Sequence, residues 1–320
     1  MVKLISIVVP THNEKNNVGV LSTRITKVFD ALPKFDFELI FVDDSSDETP
    51  QTIQALAKDD PRIKLIRLVR SFGQATAIAA GLKRAQGAAV IMMDADLQDP
   101  PEVIPQLLVK WKDDNKIVYV ARASQSQSYL YKVLAKVFYR TLTRISAVPI
   151  PIDAGEFRLI DRDVVNFMNA LQERSRFMRG LTVWPGFKSE KIHIVRAERL
   201  SGATNYNMTK SLSVAIDGFV SFSILPLRLA TLLGLTTAAL SIVLSFVYLG
   251  LWIFDRTLFG PGWMSLFLAV MFMGGLNLFC MGIVGEYVGR AFMELQGRPL
   301  YLVDYEIGFS KESLSKEGTQ

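Results

Sequence analysis

The chain has 320 residues, half of them hydrophobic, and a formal net charge of +5 at neutral pH. This length accommodates one sizeable domain with an accessory region, and the hydrophobic share is high for a purely soluble enzyme. The positive charge suits a protein that lies against an anionic membrane or handles phosphates, but it is too small to indicate a nucleic-acid-binding protein. The single cysteine, Cys280, excludes an intrachain disulfide.

The N-terminal part of the chain alternates short apolar segments with amphipathic segments. This alternation predicts an α/β domain with a mostly parallel, doubly wound sheet that is covered by helices on both faces. Ligands of such sheets bind beyond the carboxyl ends of the strands, so functional side chains are expected there. Strands are predicted at 4–9, 37–42, 64–69, 89–93 and 117–120, and helices at about 16–32, 49–58, 74–86 and 101–112.

Three of the predicted strands end in polar, acidic segments. The first strand is followed by PTHNE at 10–14, the second by DDSS at 43–46 and the fourth by DADLQ at 94–98. Carboxylates packed together at one sheet edge repel one another, so this edge needs a cation or a hydrogen-bonding polar ligand. The sequence has no Gly-x-Gly-x-x-Gly after the first strand and no P-loop motif, which disfavours a dinucleotide-dependent dehydrogenase and a P-loop NTPase.

The spacing of Asp94 and Asp96 indicates a metal site. Because the two residues are two positions apart, their side chains project to the same side of an extended segment and can face one divalent ion. Gln98 can supply a further, neutral oxygen ligand. We therefore predict that Asp94, Asp96 and Gln98 bind Mg²⁺ or Mn²⁺, and that diphosphate oxygens fill the open coordination positions.

Two windows in the last third of the chain, residues 229–254 and 263–285, contain no charged residue. Each exceeds the roughly 20 residues that a helix needs to cross a bilayer. We predict a two-helix transmembrane hairpin, with two buried core helices of a soluble protein as the alternative. Arg228, Arg290 and Arg298 flank the hairpin, whereas the short connection holds one basic residue, and this asymmetry predicts that both ends face the cytoplasm.

Two further segments of the sequence support the same topology. Residues 210–225 keep a mixed polar and apolar pattern near helical spacing, which predicts an interfacial amphipathic helix; an ordinary surface helix is the alternative. The first ten residues lack a basic region followed by a long apolar one, so the N-terminal domain is expected to stay in the cytosol. These features predict a multi-pass protein of the cytoplasmic (inner) membrane with its large domain and both termini in the cytosol.

With these residues placed, the chain resembles the inverting family-2 glycosyltransferases of the GT-A fold. More narrowly, it resembles the polyprenyl-phosphate glycosyltransferases, which include dolichol-phosphate mannose synthases and bactoprenol glucosyltransferases. The similarity spans most of the chain, on both sides of the predicted membrane boundary. The matching segments are VVPTHNE at 8–14, FVDDSSDET at 41–49, RSFGQATAIAAGL at 70–82, DADLQDPPE at 94–102, FRLIDR at 157–162, ERSRFMRGL at 173–181 and DGFVSFSILPLRLA at 217–230.

The resemblance implies specific roles for residues in these segments. The implied nucleotide-binding residues are Pro10, His12, Glu14, Asp43, Asp44, Asp94 and Ala95. The implied metal ligands are Asp94, Asp96 and Gln98, and the implied catalytic residues are Asp96, Arg122 and one of Asp153 and Glu156, between which the sequence does not choose. At the acceptor phosphate we expect Arg122, Arg199 and Lys132. In the loop after Arg199 the family often has a basic residue, where this chain has Ala203, Thr204 and Asn205.

The activity implied by the resemblance is metal-dependent transfer, with inversion, of a single sugar to polyprenyl phosphate, with release of a nucleoside diphosphate. UDP-glucose is the favoured donor; GDP-mannose and a non-catalytic, nucleotide-binding membrane scaffold are the alternatives. A phosphatase of the Asp-x-Asp type is disfavoured because its aspartate pair ends the first strand, and a processive synthase because two spans are too few for a polymer channel. The expected partners are the nucleotide-sugar, the lipid and the bilayer, without nucleic acid, and a homo-oligomer is compatible with this interpretation.

The predicted organisation follows from these interpretations. A cytosolic GT-A glycosyltransferase domain is expected at 1–209 and the interfacial amphipathic helix at 210–227. The two transmembrane helices are expected within 228–290, and a cytosolic C-terminal tail at 291–320.

Overall fold

The computed structural model describes residues 2–122, 154–171, 173, 178–194, 225–254 and 262–309. These residues divide into two compact units. One unit contains the described residues up to 194 together with the segment from Arg298 onward, and the other contains the long helices between them. The domain bounds expected from the sequence stay predictions; the described residues 298–309 group with the N-terminal unit.

In the described part of the first unit, eight strands form one sheet. Their order is β7-β5-β6-β4-β1-β2-β3-β8; β6 is antiparallel to β4 and β5, and β8 is antiparallel to β3, whereas the other neighbouring pairs are parallel. This confirms the predicted mostly parallel α/β sheet. The strands are β1 (Lys3–Thr11), β2 (Phe35–Asp43), β3 (Ile63–Leu68), β4 (Ala89–Met92), β5 (Ile117–Arg122), β6 (Ala154–Asp161), β7 (Ser189–Ile194) and β8 (Val303–Ile307).

Helices cover both faces of this sheet. The four predicted helices are present, and the last begins with a short 3₁₀ turn at Pro101–Val103. The apolar runs of β1 and β2 are buried on both sides, with Ile7, Val8 and Leu39 fully inaccessible to solvent. The helices are α1 (Lys15–Asp30), α2 (Thr49–Asp59), α3 (Gln74–Arg84), α4 (Ile104–Lys112), α5 (Arg162–Ala170) and α6 (Met178–Val183).

Three strands, β6, β7 and β8, have no counterpart among the predicted strands, and β8 comes from the far end of the chain. Strand β8 completes one edge of the sheet. It pairs with β3, and the backbone amide of Val69 donates to the carbonyl of Leu302 at 3.0 Å just before it. Two side-chain contacts hold β8 to neighbouring helices. Tyr305 accepts a hydrogen bond from Gln54 of α2 at 2.8 Å, and Glu306 pairs with Arg84 of α3 at 2.8 Å.

The second unit contains two long helices, α7 (Leu225–Phe254) and α8 (Trp263–Leu295). By length and composition each is able to cross a membrane, over windows at 227–244 and 265–295 in which 6% and 0% of the residues are buried. This exposure argues against the alternative of buried core helices. Beyond the predicted end of the second span, α8 continues through a Glu286–Arg290 ion pair of 2.9 Å. The predicted amphipathic helix lies outside the described residues, except for the first turn of α7.

The close approach of α3 to the sheet gives a test of this packing. A Cβ added at Gly81 would overlap Val8 and stand 3.1 Å from Val42, so Gly81→Ala should destabilise the fold by about 1–3 kcal/mol through overpacking. Gly19 in α1 has open space around its Cα, and Gly19→Ala should stabilise by about 0.4–1 kcal/mol. Thermal unfolding of the detergent-solubilised full chain measures both changes. Equal midpoints for the two variants would contradict the packing of α3 described above.

Candidate active site

The carboxyl ends of β1, β2 and β4 and the start of α3 surround a cavity of about 330 Å³. The cavity therefore lies where a parallel α/β sheet places its ligands. It brings together six of the seven predicted nucleotide-binding residues and the predicted metal ligand Asp96; their roles stay predictions. The lining residues are Pro10, Thr11, His12, Glu14, Asp44, Ser71, Gly73, Gln74, Ala77, Asp94, Ala95 and Asp96.

The loops after β1 and β2 are joined by side-chain contacts at the rim of this cavity. His12 Nδ1 lies 2.7 Å from Asp44 Oδ1, with the histidine 59% exposed and the aspartate 7% exposed. Asn13 adopts a left-handed backbone conformation, which asparagine tolerates better than most residues. Its backbone amide donates to Ser45 Oγ at 2.8 Å, and its side-chain oxygen accepts from the backbone amide of Ser46 at 2.9 Å. These bonds hold the two loops in one arrangement.

Asp43 points away from the cavity that Asp44 lines. Its carboxylate is fully buried, pairs with Arg67 of β3, and accepts hydrogen bonds from Ser45 Oγ at 2.6 Å and Thr11 Oγ1 at 2.9 Å. Successive side chains of a strand point to opposite faces, so these adjacent aspartates reach different surroundings. The geometry therefore gives Asp43 a structural position under the site, whereas a contact with the nucleotide remains only a prediction from the resemblance.

The turn after β4 carries the paired aspartates. Asp94 Oδ1 accepts a hydrogen bond from Gln74 Nε2 at 2.6 Å, and Asp96 Oδ1 accepts from the backbone amide of Gln98 at 3.1 Å. Leu97, between Asp96 and Gln98, has φ of 60°, a left-handed conformation that costs a residue with a Cβ roughly 1–2 kcal/mol. The side chain of Leu97 packs against the hydrophobic core, which holds this strained turn in place.

The donor set at this turn fits a metal ion that arrives with a diphosphate. Within the described segments, no group of three or more His, Cys, Asp or Glu side chains forms a protein-only metal site. Asp94 and Asp96 line the cavity, whereas Gln98 is buried and does not line it. Magnesium and manganese are commonly bound by one or two carboxylates plus substrate phosphates, so two carboxylates at an open cavity suffice.

Two other predicted site residues that the structure describes, Arg122 and Glu156, do not line the cavity. Arg122 ends β5, and Glu156 lies on β6 with its carboxylate 3.5 Å from the guanidinium of the fully buried Arg158. Lys132, Asp153 and Arg199 lie outside the described residues. The structure therefore describes the predicted donor side of the site and leaves the predicted acceptor side as a prediction.

The segment that opens α3 contributes lining residues for which the sequence analysis assigned no role. They are Ser71, Gly73, Gln74 and Ala77, and all four belong to RSFGQATAIAAGL at 70–82, one of the segments that match the family. Gly73 has φ of 87°, a conformation that only glycine adopts at no steric cost. A glycine directly before a predicted helix at the carboxyl edge of the sheet was the available signal for this contribution.

Comparison with known proteins identifies the relatives of the chain. Residues 6–167 match the family described as Glycosyl transferase family 2. An uncharacterised glycosyltransferase of Bacillus subtilis is 39% identical over 98% of this chain and 97% of its own length. A prophage bactoprenol glucosyl transferase homolog of Escherichia coli is 38% identical over 93% and 98% of the two chains. A prophage-derived bactoprenol glucosyl transferase of Shigella flexneri is 39% identical over 93% and 97%.

The buried pair beneath the cavity should be much more costly to break than a surface pair. Arg67→Leu leaves the Asp43 carboxylate buried without its counter-charge, and we expect a loss of about 3–5 kcal/mol in the free energy of unfolding. The matched control is Arg24→Leu, which removes an exposed pair in which Arg24 lowers the pKa of Glu102; this should cost about 1 kcal/mol or less. Chemical denaturation of both variants measures the two losses in the free energy of unfolding. Similar losses would show that the buried Asp43 carboxylate does not require Arg67 as its counter-charge.

Proposed function

The chain belongs to glycosyl transferase family 2, and from this premise we propose that it transfers one sugar from a nucleotide donor to a polyprenyl phosphate. It is a glycosyltransferase with a GT-A fold. One observation carries the proposal: the predicted donor residues of three strand ends line a single cavity beside a pair of carboxylates. The full-length similarity to proteins named bactoprenol glucosyl transferase supports the lipid acceptor and favours glucose as the sugar.

In this proposal, the nucleoside occupies the side of the cavity formed by the loops after β1 and β2. Asp44 and Glu14 offer carboxylate oxygens to the hydroxyl and N–H donors of a nucleoside. The contact between His12 and Asp44 holds one of these carboxylates in a fixed direction. A binding group that is already oriented loses less entropy when the ligand arrives.

The diphosphate would lie toward Asp94 and Asp96, which would hold Mg²⁺ or Mn²⁺ there. When bound, the divalent ion supplies positive charge that stabilises the departing diphosphate. The chain's own part is to present two carboxylates on one strained, core-anchored turn. Because the partly buried side chain of Leu97 packs against the core, we expect little reorganisation of the turn when the donor binds.

The acceptor is a phosphate monoester whose second pKa is about 6, so it is largely anionic at neutral pH. It therefore needs no strong general base, and we propose that Arg122 and Arg199 orient it through their planar guanidinium groups. Lys132 would add a further positive charge. Since Glu156 lies against Arg158, its charge is already engaged, and Asp153 becomes the favoured carboxylate for positioning the acceptor.

We propose that α7 and α8 form a membrane hairpin that brings the enzyme to its lipid substrate, because the phosphate of a membrane lipid lies at the headgroup level. The chain connectivity supports the proposal that both ends of the hairpin lie on the same side of the membrane. β1 precedes the hairpin and β8 follows it, yet both are strands of one sheet. An even number of spans satisfies this constraint, and the distribution of basic residues favours the cytosolic side of the inner membrane for the sheet.

The experiment that tests this function is a panel of radiolabelled UDP-glucose, UDP-galactose and GDP-mannose with undecaprenyl phosphate, measured by lipid extraction. We expect transfer of glucose that is lost on EDTA treatment and restored by excess Mn²⁺. Asp96→Asn should reduce transfer at least about 100-fold, while its oxygen can still accept from the Gln98 amide and preserve the turn. Binding of a nucleotide-sugar without any turnover would instead support the scaffold, and activity in the chelated enzyme would exclude the metal.

A second experiment separates the donor side from the acceptor side. Asp44→Ala should weaken UDP binding in calorimetry without lipid, since it removes a carboxylate from the cavity. Arg199→Ala should leave UDP affinity nearly unchanged and reduce kcat/KM for polyprenyl phosphate by roughly 10- to 150-fold, as expected for one charge-assisted contact. If Arg199→Ala weakens UDP binding as much as it weakens acceptor use, the proposed division of the site is wrong.

A further inference from the structure

Gln74 is the first residue of α3, and its side chain contacts the predicted metal ligand Asp94. Its amide nitrogen donates to Asp94 Oδ1 at 2.6 Å, within the cavity that both residues line. An amide donor differs from a lysine or arginine in this position because it carries no charge. It can fix the direction of the carboxylate without cancelling the negative charge that would attract a divalent ion.

The backbone around Gln74 is held in place at both ends of α3. Gly73, directly before it, has φ of 87° and so turns the chain into the helix in a conformation that other residues rarely adopt. Seven residues after Gln74, Gly81 lets α3 approach Val8 of β1 and Val42 of β2, because a Cβ at this position would collide with their side chains. Since β1 and β2 also deliver the His12 and Asp44 loops, α3 is registered against the same strands that form the rest of the site.

We propose that Gln74 is a positioning residue for the metal-binding carboxylate Asp94. This inference rests on the proposed function, because it assigns Gln74 to the donor diphosphate site of that reaction. Gln74 holds one oxygen of Asp94, which limits the rotation of the carboxylate before the ion arrives. Residues that hold metal ligands by hydrogen bonds typically change metal affinity by 10- to 100-fold when they are replaced.

The test compares two glutamines that each donate one hydrogen bond. Gln74→Met keeps the length and approximate volume of the side chain and removes the donor. The matched control is Gln54→Met, which removes the hydrogen bond to Tyr305 of β8; neither of these two residues lines the cavity. UDP binding to the full chain in detergent is measured by calorimetry, once with chelator and once across a series of Mn²⁺ concentrations, and thermal unfolding is measured for each protein.

For Gln74→Met we expect the Mn²⁺ concentration that half-saturates the gain in UDP affinity to rise by about 10-fold. Its UDP affinity in chelator should match that of the unaltered protein, and excess Mn²⁺ should restore the lost affinity. Gln54→Met should leave the Mn²⁺ dependence unchanged.

Two outcomes would overturn the inference. An unchanged Mn²⁺ dependence in Gln74→Met would show that the hydrogen bond does not orient the ligand. An equal loss of UDP affinity in chelator and in Mn²⁺ would show that Gln74 contacts the nucleotide and does not act through Asp94. If the unaltered protein shows no Mn²⁺-dependent UDP binding, the proposed donor site itself fails, and this result is distinct from both of the others.

Discussion

The buried ion pair between Asp43 and Arg67 joins the strand ends on which the candidate site depends. Asp43 closes β2, Arg67 lies in β3, and Thr11 of β1 donates to the same carboxylate. A buried charge is tolerated only when it is paired and hydrogen-bonded, so this contact imposes one relative position on three neighbouring strands. The cavity lies directly above that arrangement, and Asp44 enters it because it is the next residue in the chain.

The cavity combines rigid parts with a small number of polar groups. Its floor is formed by strand ends whose apolar residues are buried on both sides, and its walls by the turn at Leu97 and the beginning of α3. Each wall carries one residue with positive φ: Gly73, which adopts it at no steric cost, and Leu97, for which it is unfavourable in isolation. Such features persist where the surrounding packing determines them, and they are frequent where a ligand must be met by groups already in position.

The parts of the fold that were predictable are those in which local pattern and tertiary role agree. The strands β1 to β5 are short apolar runs that become buried on both faces, so periodicity alone located them. Strand β8 has the sequence VDYEI, in which two acids alternate with apolar residues at an exposed sheet edge, and its partner β3 is more than 200 residues away in the chain. The different surroundings of Asp43 and Asp44 were equally invisible in sequence, because they depend on the partner Arg67 and not on the aspartates themselves.

The position of β8 also has a consequence for the order in which the protein assembles during synthesis. The ribosome completes both long helices before it makes Val303–Ile307, so the sheet lacks its last strand while those helices emerge. During that interval the edge of β3 presents unpaired backbone groups, which are a template for pairing with other chains. Once the segment after α8 has been synthesised it covers this edge, so the last step in folding of the sheet follows the synthesis of the two long helices.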